Sequence, residues 1–87
     1  YALNGYLFLK LFDDVPAANL APGEGDVEIY PGSGYLELEP QGPHSVIAAN
    51  ASVDWTVRWR VVAIPPTVAV AVGSTTLIEF AQQQAAL

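Results

Sequence analysis

Apolar and polar positions alternate through much of this chain. Residues 6–12 read YLFLKLF: Leu7, Leu9 and Leu11 share one face, and Tyr6, Phe8, Lys10 and Phe12 share the other. Apolar residues on both faces predict a strand buried on both sides, with Lys10 the exception. The Pro-, Gly-, Ala- and Asp-rich run 13–25 reads as a loop. Residues 26–30 (DVEIY) and 35–39 (YLELE) flank Pro31-Gly32-Ser33-Gly34 and predict a hairpin around a Gly32-Ser33 turn. That turn sets Tyr30 across from Tyr35, Glu28 from Glu37 and Asp26 from Glu39. Val27, Ile29, Leu36 and Leu38 then share the opposite face and are expected to be core.

Residues 40–43 predict a turn, 45–48 a short apolar segment, and 49–52 a tight turn. Residues 53–64, VDWTVRWRVVAI, carry the longest alternation. Val53, Trp55, Val57, Trp59, Val61 and Ala63 fall on one face, and Asp54, Thr56, Arg58 and Arg60 on the other. Pro65-Pro66 ends the strand, and 67–72 is a sixth strand candidate. After that the period changes. Leu77, Ile78, Ala81 and Ala85 fall on a helical stripe behind a cap at Ser74 or Thr75, which predicts a helix over 75–86. The expected organisation is a β segment over 1–73 and a helical tail over 74–87. The expected class is an all-β antiparallel sandwich.

Composition narrows the possible functions. The 87 residues support one domain or part of one. Mean hydropathy is +0.31, with 52% apolar and 14% charged residues. Such an apolar excess in so short a chain implies that part of its surface is covered by a preceding N-terminal segment or a second chain. The net charge of -6, with only Lys10, Arg58 and Arg60 as cations, provides no basic patch for nucleic acid. It also disfavours adsorption to an anionic membrane. No apolar run approaches the roughly 18 residues of a membrane span. With no cysteine there is no thiolate site, and the single histidine, His44, does not make a closed zinc centre. No cofactor is implied: Gly23 and Gly25 are not followed by a phosphate-loop or dinucleotide pattern. The compartment stays open, with a periplasmic or secreted setting slightly favoured over the cytoplasm.

The candidate chemistry lies in the hairpin. Its expected register gathers Asp26, Glu28, Glu37 and Glu39 on one face between Tyr30 and Tyr35. Like charges directly opposite each other destabilise a sheet unless something compensates. Three compensations are open: screening by water and salt, pairing with Arg58, Arg60 or Lys10, or a cleft that holds a cation or a sugar. Carboxylates accept hydrogen bonds from sugar hydroxyls, and tyrosine rings stack on the apolar faces of sugars. Calcium also suits oxygen ligands, but no EF-hand-type spacing accompanies these residues. Asn50-Ala51-Ser52 fits the N-glycosylation acceptor pattern, which matters only in a eukaryotic secretory setting. Trp55 and Trp59, on the apolar face of their strand, read as core.

The ordered motifs resemble a known family. Leu38-Glu39-Pro40-Gln41 is similar to the Leu-Glu-Thr-Gln signature of galactose mutarotases (aldose 1-epimerases), with Pro40 in place of Thr. The run Asn4-Gly5-Tyr6-Leu7-Phe8-Leu9-Lys10-Leu11-Phe12, then Val27-Glu28-Ile29-Tyr30, Leu36-Glu37-Leu38-Glu39-Pro40-Gln41-Gly42-Pro43 and Arg58-Trp59, resembles a bacterial branch of mutarotase-like proteins. The resemblance covers residues 4–64. It implies the last part of a large β supersandwich and a carbohydrate-binding, isomerase-like role. It places the general base on Glu39; the hairpin face and its candidate cationic partner, read from the residues alone, supply Glu28, Glu37, Tyr30, Tyr35, Asp26 and Arg58 as candidate sugar-binding residues. Mutarotation needs a base for the anomeric hydroxyl and an acid for the ring oxygen. No position here matches the family's acid, and His44 matches none of its catalytic positions. The alternative is a non-catalytic β-sandwich module for structure or protein contact, with a solvated acidic face.

Overall fold

The computed structural model describes residues 1–87. Antiparallel strands and one short C-terminal helix make up the regular structure, in two compact units: residues Tyr1–Leu11 with Arg58–Leu87, and residues Phe12–Val57.

In the first unit β1 (Ala2–Leu3) and β2 (Tyr6–Leu11) are joined by Asn4-Gly5. Both turn residues have positive φ, 51° and 79°. Two left-handed residues in succession match the right-handed twist of the flanking strands. The ladder continues to Tyr1, which exchanges bonds with Phe8 in both directions. β2 then pairs with β5 (Arg58–Ala63), Leu7 opposite Val62 and Lys10 opposite Trp59, in the sheet order β1-β2-β5. The strand expected over 53–64 is thus only its second half. β2 ends at Leu11, opposite Arg58, so 53–57 have no partner strand despite their alternation.

The helix α1 (Thr75–Ala85) begins at Ser74, whose hydroxyl accepts the Leu77 N–H at 3.2 Å. It packs on β2, and the Arg60 guanidinium donates to the Gln84 carbonyl in its last turn. Cationic donors suit the orphan carbonyls at a helix C-terminus. Its covered stripe is Leu77, Phe80, Ala81 and Gln84, not the expected Leu77, Ile78, Ala81 and Ala85; Ile78 is 57% exposed. Arg60 and Leu7 share one sheet face, so the helix covers that face, and Leu7 is 4% exposed. β2 is therefore buried on one side only. The other face leaves Tyr6 56% and Trp59 70% exposed, which corrects the expectation that Trp59 is core. The sixth strand expected over 67–72 does not form; those residues make turns and bends, and Val72 is fully exposed.

In the second unit the loop after β2 carries one 3-10 turn (Ala17–Asn19) and buries Val15. The Trp55 ring lies on Gly42, where a Cβ would come within 2.9 Å of it, and tilts toward Phe12 at 5.7 Å. Trp55 packs as the alternation implies, although 53–57 is not a strand. The tight turn at 49–52 forms, with Asn50 at φ 64° and the Ala51 N–H donating to Ala48. The apolar segment 45–48 is solvated, Val46 almost completely.

Candidate functional site

The candidate site is the polar face of the hairpin β3 (Val27–Pro31) and β4 (Leu36–Pro40). Its register differs from the expected one by two residues. Glu28 faces Glu39, Tyr30 faces Glu37, and Ile29 faces Leu38. The central turn residues are Ser33 and Gly34, closed by the Gly32 N–H donating to Tyr35 at 2.9 Å. Gly34 takes φ +80°, and the Tyr35 ring lies over Gly32, in the space a side chain there would fill. Only this register puts a glycine both at the left-handed turn position and beneath the ring.

A shift of two preserves the faces, because side chains alternate with period two. Glu28, Tyr30, Tyr35, Glu37 and Glu39 share one exposed face. The two tyrosine rings sit 6.2 Å apart at 37°. The expected pair of carboxylate oppositions reduces to one, Glu28 with Glu39. Asp26 lies beyond the open end of the hairpin, its carbonyl accepting the Gln41 N–H at 2.8 Å. Arg58 belongs to the other unit, at the start of β5. The reverse face is not the expected core: Val27 is 46% and Ile29 59% exposed, and Leu36 and Leu38 are half-buried.

The signature-like segment has a further contact that sequence reasoning missed. The Gln41 amide donates to the Glu24 carboxylate at 3.2 Å, across the loop that enters the hairpin. Seventeen residues separate the two, so no local pattern announces the pair. His44 is exposed, in irregular chain, its backbone N–H donating to the Asn19 carbonyl. No three of the acidic or histidine side chains are placed to hold a metal ion.

The first unit has two other surface features. An open groove of about 400 Å³ runs between Pro65, Val68 and helix residues Thr76, Glu79, Phe80 and Gln83. The uncovered sheet face carries Phe8 edge-on to Trp59, ring centroids 5.5 Å apart, with the Lys10 ammonium 5.2 Å from the indole centre. No helix is long and apolar enough to cross a membrane. No protein-family model, curated protein or solved structure matches this chain.

Proposed function

We propose that the polar face of the hairpin binds a neutral sugar or similar polyhydroxylated ligand, and that the two antiparallel sheets are parts of a larger, mutarotase-like β-sandwich. The exposed tyrosine pair on the same face as three carboxylates carries this reading. Tyr30 and Tyr35 offer flat apolar surface to the C–H groups of a sugar ring. Glu28, Glu37 and Glu39 are acceptors only when ionised, which suits hydroxyl donors. A bound hydroxyl bridging Glu28 and Glu39 also relieves the repulsion between them.

In the narrower, catalytic form of the proposal, Glu39 takes the anomeric proton. Its cross-strand neighbour is a second carboxylate, so the proton donor for the ring oxygen has to come from elsewhere. Binding is therefore the primary reading and epimerisation the derived one. The test is nuclear magnetic resonance of the hairpin amides during titration with a panel of aldoses. Shifts centred on Tyr30, Tyr35, Glu37 and Glu39, lost in Tyr35→Ala and weakened in Glu39→Gln, are expected. A panel that moves none of these amides would remove the sugar reading. Loss of anomer interconversion in Glu39→Gln at sugar concentrations that still saturate the variant would identify the base.

A second reading, a non-catalytic contact module, draws on a different observation. The sheet face bearing Tyr6, Trp59 and Val61 is more than half exposed at each of those residues. Large uncovered apolar faces accompany surfaces that bind another protein.

A further inference from the structure

We infer that the outer edge of β5 receives the outer edge of β3 from a second copy of this chain, as an added antiparallel strand. This goes beyond the sugar reading and does not depend on it. β5 is the last strand of its sheet. The Ile64 N–H donates to Gly5 at 2.8 Å, which fixes the alternation: Arg58, Arg60 and Val62 turn their backbone groups to β2. Trp59, Val61 and Ala63 turn theirs outward. No proline or lysine interrupts this strand, although those are the usual means of blunting an edge. In the hairpin, the Gln41-to-Asp26 and Tyr35-to-Gly32 bonds fix the same alternation. Glu28 and Tyr30 bond to β4, while Val27, Ile29 and Pro31 lie on the outward side; Pro31 has no N–H to donate and closes that edge, which leaves Val27–Ile29 to pair.

The two edges match in one antiparallel register. With Ile29 opposite Trp59 and Val27 opposite Val61, apolar side chains meet on one face. The same register sets Glu28 opposite Arg60 and Tyr30 opposite Arg58 on the other. Glu28 and Arg60 would form the close, non-hydrogen-bonded type of pair. The Arg60 guanidinium has five donors and uses one on Gln84, so it can accommodate the carboxylate. Moving β3 two residues toward the end of β5 replaces Arg60 with Val62 opposite Glu28. Moving it the other way runs past Arg58, where the strand begins. β5 against β5, or β3 against β3, brings no opposite charges together; the outer edge of β4 can set Glu37 opposite Arg60 with Leu38 opposite Trp59, but joining there leaves Glu28 and Ile29 outside the joint, so substitutions at those two residues decide between the edges. Each copy offers both edges, so reciprocal exchange closes a dimer and one-way addition grows a longer chain.

The test is sedimentation velocity of the 87-residue chain over a concentration series, with Trp59 emission read in a Trp55→Phe background. Wild type is expected to form oligomers that increase with concentration, while Trp59 emission shifts to the blue. Glu28→Lys, which puts like charges opposite each other, should weaken association about tenfold. Ile29→Lys, an edge substitution at an exposed side chain, should weaken it as well. Far-ultraviolet circular dichroism and an unchanged Tyr30 amide confirm that each variant keeps its hairpin. A wild-type monomer up to about 1 mM, or association that neither variant weakens, overturns the inference. A monomer in which the Val61 and Ile29 amides are nevertheless protected overturns it too, since the edges would then be joined within one chain.

Discussion

Gly32 and Gly34 stand one residue apart in the β3–β4 turn and are required for different reasons. Gly34 needs left-handed backbone, and the space around it is empty. Gly34→Ala should therefore cost about 1–2 kcal/mol from the backbone alone, and Gly34→Asn should recover part of that loss. Gly32 has ordinary backbone but lies under the Tyr35 ring. Gly32→Ala has to displace that ring, so its cost should disappear when Tyr35→Ala is already present. Chemical denaturation of the single and double variants tests this: coupling is expected between positions 32 and 35, and none between 34 and 35. The same residues explain the two-residue register error. Proline-glycine followed by serine-glycine offers two glycine turn positions. The choice between them depends on a ring that crosses to the neighbouring strand, which turn propensity does not include.

Among the elements, the helix was the most legible and the strands the least. Ser74 caps α1 within the expected bounds because capping is a contact over three residues. Ser74→Ala should cost about 1 kcal/mol and speed hydrogen exchange at the Leu77 amide; unchanged exchange at Leu77 would remove the cap from the account of this helix. An 11-residue helix is too short to persist alone. Its stability comes from the sheet, and so does its orientation: Phe80 and Gln84, rather than Ile78 and Ala85, face β2 and Arg60. Alternation over 53–64 predicts one strand, yet only Arg58–Ala63 has a partner. Asn4-Gly5 carries the strongest short hairpin signal in the chain. Its hairpin is hidden in the pattern because the strand that precedes it is only two residues long, too short to show alternation.

At the scale of the whole molecule, burial is sparse in both units. Leu7 and Val15 are the buried apolar side chains, one in each. Leu7→Ala removes the centre of the first unit and should cost about 2–5 kcal/mol, a large fraction of the stability available to a small domain. Hydrogen exchange should show protection lost across Tyr1–Leu11 and Arg58–Leu87, with the Tyr30 and Glu37 amides unchanged. Equal loss in both units would show that they unfold together. The acidic composition and scarcity of cations, by contrast, bear on function without any fold, since they concern phosphate and membrane charge alone.

By itself the sequence determined the faces. Glu28, Glu37 and Glu39 share a side with Tyr30 and Tyr35 in either register, because the strand repeat is two and the register moved by two. It also determined the helix and the tight turn at Asn50, and narrowed the cap to Ser74 or Thr75, because all of these form within a few residues. Tertiary structure decided which faces are covered. Periodicity marks Val27, Ile29, Trp59 and Val61 as apolar-facing, and it is blind to whether another layer lies against them. Here no layer lies against them, and they stand at least 46% exposed. Register, strand ends and burial depend on contacts between residues far apart in the chain, and local alternation does not encode them.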